Sequence, residues 1–265
     1  MNSLKPINPN LDNDNIEFTF YGDLLGVSNL YTIDKDIAYD KLNEFYDITW
    51  KTFNALSKRL RKPNLSIFLF SDSIFITGNK IQTTIHYLGY LYYKLYLRQI
   101  FLRGAMVLGK LDFDPRIELE NIRKELPVGD VLFRAVTLEH DVKGARFLIE
   151  NKLAKKITPS NWWTDELYIE NIQNPNLGLD DFRRRIILHR EWRSYEYLWP
   201  WPTPGLFNNE LRFTEFMDLA FVPKQFLSKT SKRMPKSVAC HYQETKELFD
   251  NAECRARVTK SALKE

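Results

Sequence analysis

Residues 65–79 read LSIFLFSDSIFITGN, and the fold turns on how that stretch is broken. Two apolar runs, LSIFLF at 65–70 and IFIT at 74–77, flank Ser71-Asp72-Ser73, and Gly78-Asn79 follows. Runs rich in Ile, Leu and Phe, bounded by Ser, Asp, Gly and Asn, read as two strands of a hairpin. The first reads as a buried strand, and Asp72 falls at the hairpin tip. Upstream, Pro63 ends a preceding helix, because proline has no N–H to donate and its ring clashes with the turn before it.

Moving outward, residues 16–21 (IEFTFY) read as a strand, Gly22-Asp23 as a turn, and 24–28 as a small loop. Between that loop and Pro63, Leu42, Phe45, Tyr46, Thr49, Phe53, Leu56 and Leu60 recur at three- and four-residue steps, predicting a long helix over 37–60. Downstream, Ile85, Leu88, Tyr92 and Leu95 mark the apolar side of a helix over 81–97. A strand over 103–111, a short helix over 128–139 and a strand over 146–150 complete the order β-α-β-β-α-β-α-β. That order implies an α/β (α+β) sandwich: one mixed or antiparallel sheet covered by helices. Residues 1–15, rich in Asn, Asp and Pro, read as a flexible leader, and 16–150 as the catalytic unit. Residues 151–265 carry five of the six tryptophans, the WPWP stretch and a helix over 237–256; they read as a helical extension packed on that unit.

Composition excludes several classes. A net charge of +4 permits an anionic ligand but lacks the clustered basic excess of a nucleic-acid binder. Arg183-Arg184-Arg185, Arg190 and Arg193 read as a solvated surface, and His86, His140, His189 and His241 lack zinc spacing. Cys240 and Cys254 read as reduced thiols. No basic start followed by an apolar run is present, and the apolar stretch at 81–102 is broken by Lys94 and Arg98, so a cytoplasmic protein without a membrane span is expected.

The chemistry-bearing pair is Asp23 and Asp72. If their strands are neighbours, both carboxylates emerge at one edge of the sheet. Two carboxylates about 4–6 Å apart can hold one or two hard cations, Mg²⁺ or Mn²⁺. The loop could add the Leu24 carbonyl as a ligand, and its amides could cradle phosphates, with Gly26 permitting close approach. Both aspartates could equally be simple turn formers.

Four stretches then carry a resemblance. Phe20 to Ser28 (FYGDLLGVS) resembles the F-x-D-[IL]-x-G-[FV]-[ST] signature that opens the class III nucleotidyl cyclase domain, with one extra residue between Phe and Asp. Phe70-Ser71-Asp72-Ser73 looks like that family's second metal-binding hairpin. Residues 103–109 (RGAMVLG) are similar to its R-x-G-x-x-x-G strand, and 129–139 (GDVLFRAVTLE) to its G-x-x-x-N-x-A-x-R-L-E helix. The resemblance implies two divalent cations (Mn²⁺ or Mg²⁺) on Asp23, Asp72 and Leu24, with nucleoside triphosphate against Phe20, Leu25, Gly26, Val27 and Ser28. It also implies a homodimer with active sites at the interface.

Departures from the pattern narrow the substrate. The family's transition-state asparagine falls at Phe133 and its arginine at Thr137; its purine-reading lysine falls at Phe68 and its purine-reading aspartate near Leu126. Phe cannot make the hydrogen bonds that identify adenine or guanine. The D-x-x-G and S-D-S elements, the size and these losses together resemble the bacterial Pycsar pyrimidine cyclases. That resemblance implies cyclisation of UTP or CTP in anti-phage defence, with a separate effector sensing the product. Arg103, Arg134 and Arg146 are the candidates to replace the missing charge, with Arg103 assigned to catalysis and Arg134 to substrate binding. A degenerate cyclase fold that binds without turnover, and a palm-type phosphoryl-transfer enzyme, are the competing expectations.

Overall fold

Alternation along FTFYGDL sends Phe18, Phe20 and Leu24 to one side of a strand and Thr19, Tyr21 and Asp23 to the other. That strand, β1 (Phe18–Leu24), lies inside the sheet and organises it. The computed structural model describes residues 16–59, 65–113, 118–119, 122–123, 127–141, 143–157, 186–189, 194–197, 199–200, 225, 227–229, 232 and 236–262. Pro63, Leu126, Arg183 to Arg185, Arg190, Arg193, Trp162, Trp163, Trp192 and Trp201 lie outside them.

After β1 come helices α1 (Val27–Ile33) and α2 (Lys35–Arg59), the hairpin β2 (Leu65–Phe70) and β3 (Ser73–Gly78), helix α3 (Ile81–Leu97) and strand β4 (Leu102–Leu108). Helix α4 (Asp130–His140), strand β5 (Phe147–Ile149), helix α5 (Asn151–Ile157), strands β6 (Ile186–His189) and β7 (Ser194–Tyr197), and helix α6 (Lys236–Ala262) follow. Two short ribbons, Asp112–Phe113 with Pro127–Val128 and Glu118–Leu119 with Ile122–Arg123, stand between β4 and α4. The main sheet runs β6-β7-β5-β4-β1-β3-β2. Its part β4-β1-β3-β2 is antiparallel throughout, the strand order of a ferredoxin-like βαββαβ unit. Strand β5 adds in parallel to β4, which makes the sheet mixed. The expected α/β sandwich is the fold observed. Among the described residues no helix is long and apolar enough to cross a membrane.

One face of the sheet carries the core. Phe18, Phe20, Ile74 and Ile76 pack there with Leu42, Phe45 and Phe53 of α2 and Ile85, Leu88 and Leu95 of α3. Asp34 starts α2 by accepting the amides of Asp36 and Ile37, the usual way to satisfy orphan N–H groups. On the other face α4 covers part of the sheet, with Leu138 over Ala105 and Leu148.

Several expectations shift. Gly22-Asp23 is not a turn: β1 runs on to Leu24, because β3 and β4 hydrogen-bond it on both sides there. The chain turns at Leu25-Gly26, where Gly26 takes a left-handed φ of 84° that permits the immediate start of α1. Strand β2 is an edge strand rather than a buried one, and Phe70 is 75% exposed. Strand β4 stops at Leu108, and α4 and α6 end at His140 and Ala262. Residues beyond 150 supply β7, which pairs with β5, and β6, which pairs with β7, so they extend the same sheet. Trp199 is buried, with its ring against Tyr92 and Phe249 and its Nε1 donating to Ala145 O.

The α4–β5 connection is held from far along the chain. Gly144 N donates to His241 Nδ1 and Ala145 N to Thr245 Oγ1. Arg146, 2% exposed, binds both carboxylate oxygens of Glu196 and reaches Glu244. Burial holds His241 down at about 4, so near neutral pH its ring is uncharged and can accept that amide.

The Phe20 ring lies across Gly22 and Gly104. A Cβ at Gly104 would sit 2.5 Å from Phe20 Cζ and 2.7 Å from the Tyr21 carbonyl, which is backbone and cannot step aside. Gly104→Ala should therefore cost about 1–3 kcal/mol, read as a lowered denaturation midpoint.

Candidate functional site

The face of β1 that carries Asp23 is crossed by rows of side chains set by register. Arg103, Asp23, Ser73 and Phe70 form one row; Ala105, Tyr21, Phe75 and Phe68 form the next. Over β1, β3 and β2 this face is partly open: Asp23, Tyr21, Ser73, Phe75 and Phe68 are half-buried.

Asp23 is oriented by a short relay. Ser73 Oγ donates to Asp23 Oδ1 at 3.0 Å, and Tyr21 Oη lies 3.4 Å from Ser73 Oγ. Since serine has one proton and spends it on the carboxylate, Tyr21 is the donor in the second contact. Asp72 comes from the hairpin tip. Its carbonyl accepts Leu24 N at 3.0 Å, so the tip is tied to the residue after Asp23. Tyr46 of α2 holds the same tip, donating to Ser71 O at 2.6 Å, and Ser71 adopts a left-handed φ of 54° there. The Asp23 carboxyl is raised by burial and then by the charge of Asp72, against Ser73, Arg103 and His140.

Arg103 is buried, and its Nε donates to Glu139 Oε1 of α4. Burial pushes the Glu139 carboxyl up while Arg103 pulls it down. His140 Nε2 lies 3.7 Å from Glu139 Oε2.

Other sequence-predicted residues are elsewhere. Phe20 is fully buried on the core face, because it is odd-numbered steps from Asp23 along an alternating strand; it is core, not ligand surface. Val27 is likewise buried in the core. The amides of Leu24 and Leu25 do not cradle phosphate, since they already donate to Asp72 O and Phe101 O. Gly26 and the exposed Ser28 sit beyond them at the start of α1. Arg134 ties α4 to the far end of β4 through Asp130, Glu150 and Leu108 O. Leu108 pairs with Phe18, five residues before Asp23, or roughly 17 Å along the strand. Within one chain, then, Arg134 does not join the aspartates. Arg146 is consumed by Glu196 and Glu244. On α4, Phe133 (72% exposed) and Thr137 face outward.

Sequence reasoning missed Ser73, Tyr46 and Glu139. Ser73 was detectable, since a period of two along SDSIF places it with Phe75, opposite Ile74 and Ile76. Tyr46 and Glu139 act across the fold, and local pattern carries no trace of that.

The donor set suits a hard cation. Among the described residues no group of three or more His, Cys, Asp or Glu is poised for a metal. The donors are the carboxylate pair, and Mg²⁺ and Mn²⁺ commonly take one or two carboxylates and complete their shell from water and phosphate. The charge of Asp72 opposes ionisation of Asp23, and a cation between the two would relieve that opposition.

A carboxyl raised in the fold binds protons on folding, so its contribution to stability falls as pH rises from the ordinary aspartate value through the folded one. Asp23→Asn keeps the shape and removes the charge. Without metal at pH 7 it should raise the melting midpoint by about 2 °C. By scanning calorimetry, the gain should vanish in acid, where the wild-type carboxyl is protonated as well.

No protein-family model matches the sequence. No curated protein matches it either. Among solved structures it is similar to the guanylyl cyclase Cya2, at 12% identity and a TM-score of 0.42 over 54% of this chain and 78% of that one. It is similar to an adenylate cyclase of Trypanosoma brucei in its monomeric state, at 11% identity and a TM-score of 0.46 over 76% and 94%. A third likeness is to the guanylate cyclase domain of RhGC from Catenaria anguillulae, in complex with GTP, at 14% identity and a TM-score of 0.41 over 54% and 83%.

Proposed function

We propose that this chain is a pyrimidine nucleotide cyclase, converting UTP or CTP into the 3′,5′-cyclic mononucleotide and pyrophosphate. The observation that carries the reading is the meeting of Asp23, on an inner strand, with Asp72, on a hairpin tip tied to Leu24. Its support against a purine is Phe68, which offers a ring and no hydrogen bond on the same face.

In this reading Asp23 and Asp72 hold divalent cations, which when bound would lower the pKa of the ribose 3′-hydroxyl and neutralise the triphosphate. The 3′-oxygen forms a bond to the α-phosphorus, the bond to the β-bridging oxygen breaks, pyrophosphate departs and the hydroxyl proton passes to water. Ser73 and Tyr21 keep Asp23 in one orientation, so no reorganisation is needed at the moment of reaction. Tyr46 holds the Asp72 tip against α2. The protein acts as a homodimer with its sites at the interface, in the cytoplasm. The cyclic product is a second messenger of anti-phage defence, read by a separate effector.

The alternative is a protein of the same fold that binds nucleotide without turnover. It is favoured by Phe133 and Thr137, where the resemblance asks for Asn and Arg.

Purified protein incubated with each of the four ribonucleoside triphosphates and Mn²⁺ should release pyrophosphate and a cyclic product from UTP or CTP. Asp72→Ala should lower that rate by about a hundredfold or more while leaving the fold intact. Metal binding without turnover of any triphosphate would favour the alternative, and predominant cyclic AMP would sink the pyrimidine assignment.

A further inference from the structure

Of the two carboxylates, Asp23 is the firmly placed one. Its strand is hydrogen-bonded on both sides, and Ser73 Oγ donates to its Oδ1. Asp72 has neither support. It stands in the turn that follows β2, an edge strand held by β3 on one side. Among the described residues no hydrogen bond or ion pair reaches its carboxylate. Where that carboxylate points is therefore decided by the backbone of the turn. Among the described residues, two bonds from outside the hairpin tie this backbone down: Leu24 N donates to Asp72 O at 3.0 Å, and Tyr46 Oη donates to Ser71 O at 2.6 Å. The second holds the carbonyl of Ser71, whose left-handed φ of 54° a residue with a side chain adopts only at a cost. Tyr46 makes a fixed post for it. Its ring packs against the core beside Phe45, on a helix anchored by Leu42, Phe45 and Phe53.

The stiffness of a carboxylate pair bears on which ion it keeps. A small cation such as Mg²⁺ demands near-ideal octahedral geometry, whereas Ca²⁺ accepts longer bonds and a flexible shell. We infer that Tyr46 is the positioning residue that sets the ion preference of the pair: by holding the Ser71 carbonyl it fixes Asp72 relative to Asp23, and the fixed pair favours a small octahedral cation over Ca²⁺. This rests on the metal reading of the two aspartates. Without the Tyr46 hydroxyl the tip keeps its bond to Leu24 but is free to shift at the edge of the sheet. A Ca²⁺ shell follows such a shift, and an octahedral shell does not.

The test is a ratio of affinities, which a merely stabilising contact would not move. Mn²⁺ is titrated into the full chain without nucleotide and followed by the paramagnetic resonance of the free ion, for wild type, Tyr46→Phe and Asp72→Ala. Mg²⁺ and Ca²⁺ are then measured by displacement of the bound Mn²⁺. Tyr46→Phe keeps the ring and removes a hydroxyl at the surface, so the core stays intact. It should bind Mn²⁺ and Mg²⁺ about fivefold more weakly, and Ca²⁺ within about twofold of wild type. A ratio of Mg²⁺ to Ca²⁺ affinity that is unchanged or higher, whatever the melting midpoint does, overturns the inference and leaves the metal reading standing. No Mn²⁺ binding by the wild type, or binding by Asp72→Ala as tight as by the wild type, overturns both.

Discussion

The register of β1 against both of its neighbours is the constraint on which the rest of the molecule depends. Asp23 is paired with Ser73 on one side and Arg103 on the other, so one backbone position fixes three side chains in a row. A slip of one residue would send Asp23 into the core and bring Phe20 or Gly22 to the open face. That slip is opposed from the core side, where the Phe20 ring fills the space left by Gly22 and Gly104. The tight packing behind the sheet and the carboxylate in front of it are two readings of the same register.

The site inherits its rigidity from elements that each do a second job. Tyr46 belongs to a core helix yet pins the turn carrying Asp72. Ser73 opens β3 and also orients Asp23. Glu139 lies in the last turn of α4, the helix that covers Ala105 and Leu148, and pairs with Arg103. Asp23 itself is held where burial and Asp72 work against its charge, an arrangement that clusters at functional sites.

Much of this was legible in the residues. The hairpin around Ser71-Asp72-Ser73 and the helix Ile81–Leu97 follow from local pattern, because turn residues and a 3.6-residue period act over short distances. Gly22-Asp23 misled for the same reason: the pair has turn chemistry, and hydrogen bonds from two other strands override it. Phe70 reads as apolar and therefore inside, but whether a strand is central or at an edge is decided by what pairs with it. Arg103 was visible as a basic residue near the site. That its charge is met by Glu139, 36 positions on, is a property of the fold.

The grip of α6 on the α4–β5 connection has a consequence in time. Gly144 and Ala145 donate to residues 97 and 100 positions later in the chain. A ribosome adding about 5–20 residues per second needs roughly 5–20 s to supply them. Through that interval Asp23, Asp72 and Arg103 have all been made, while the turn leading into β5 still waits for its partners. Contacts this distant in sequence also slow folding of the finished chain. The strand-borne carboxylates can thus meet early, and the frame that locks α4 beside them closes last.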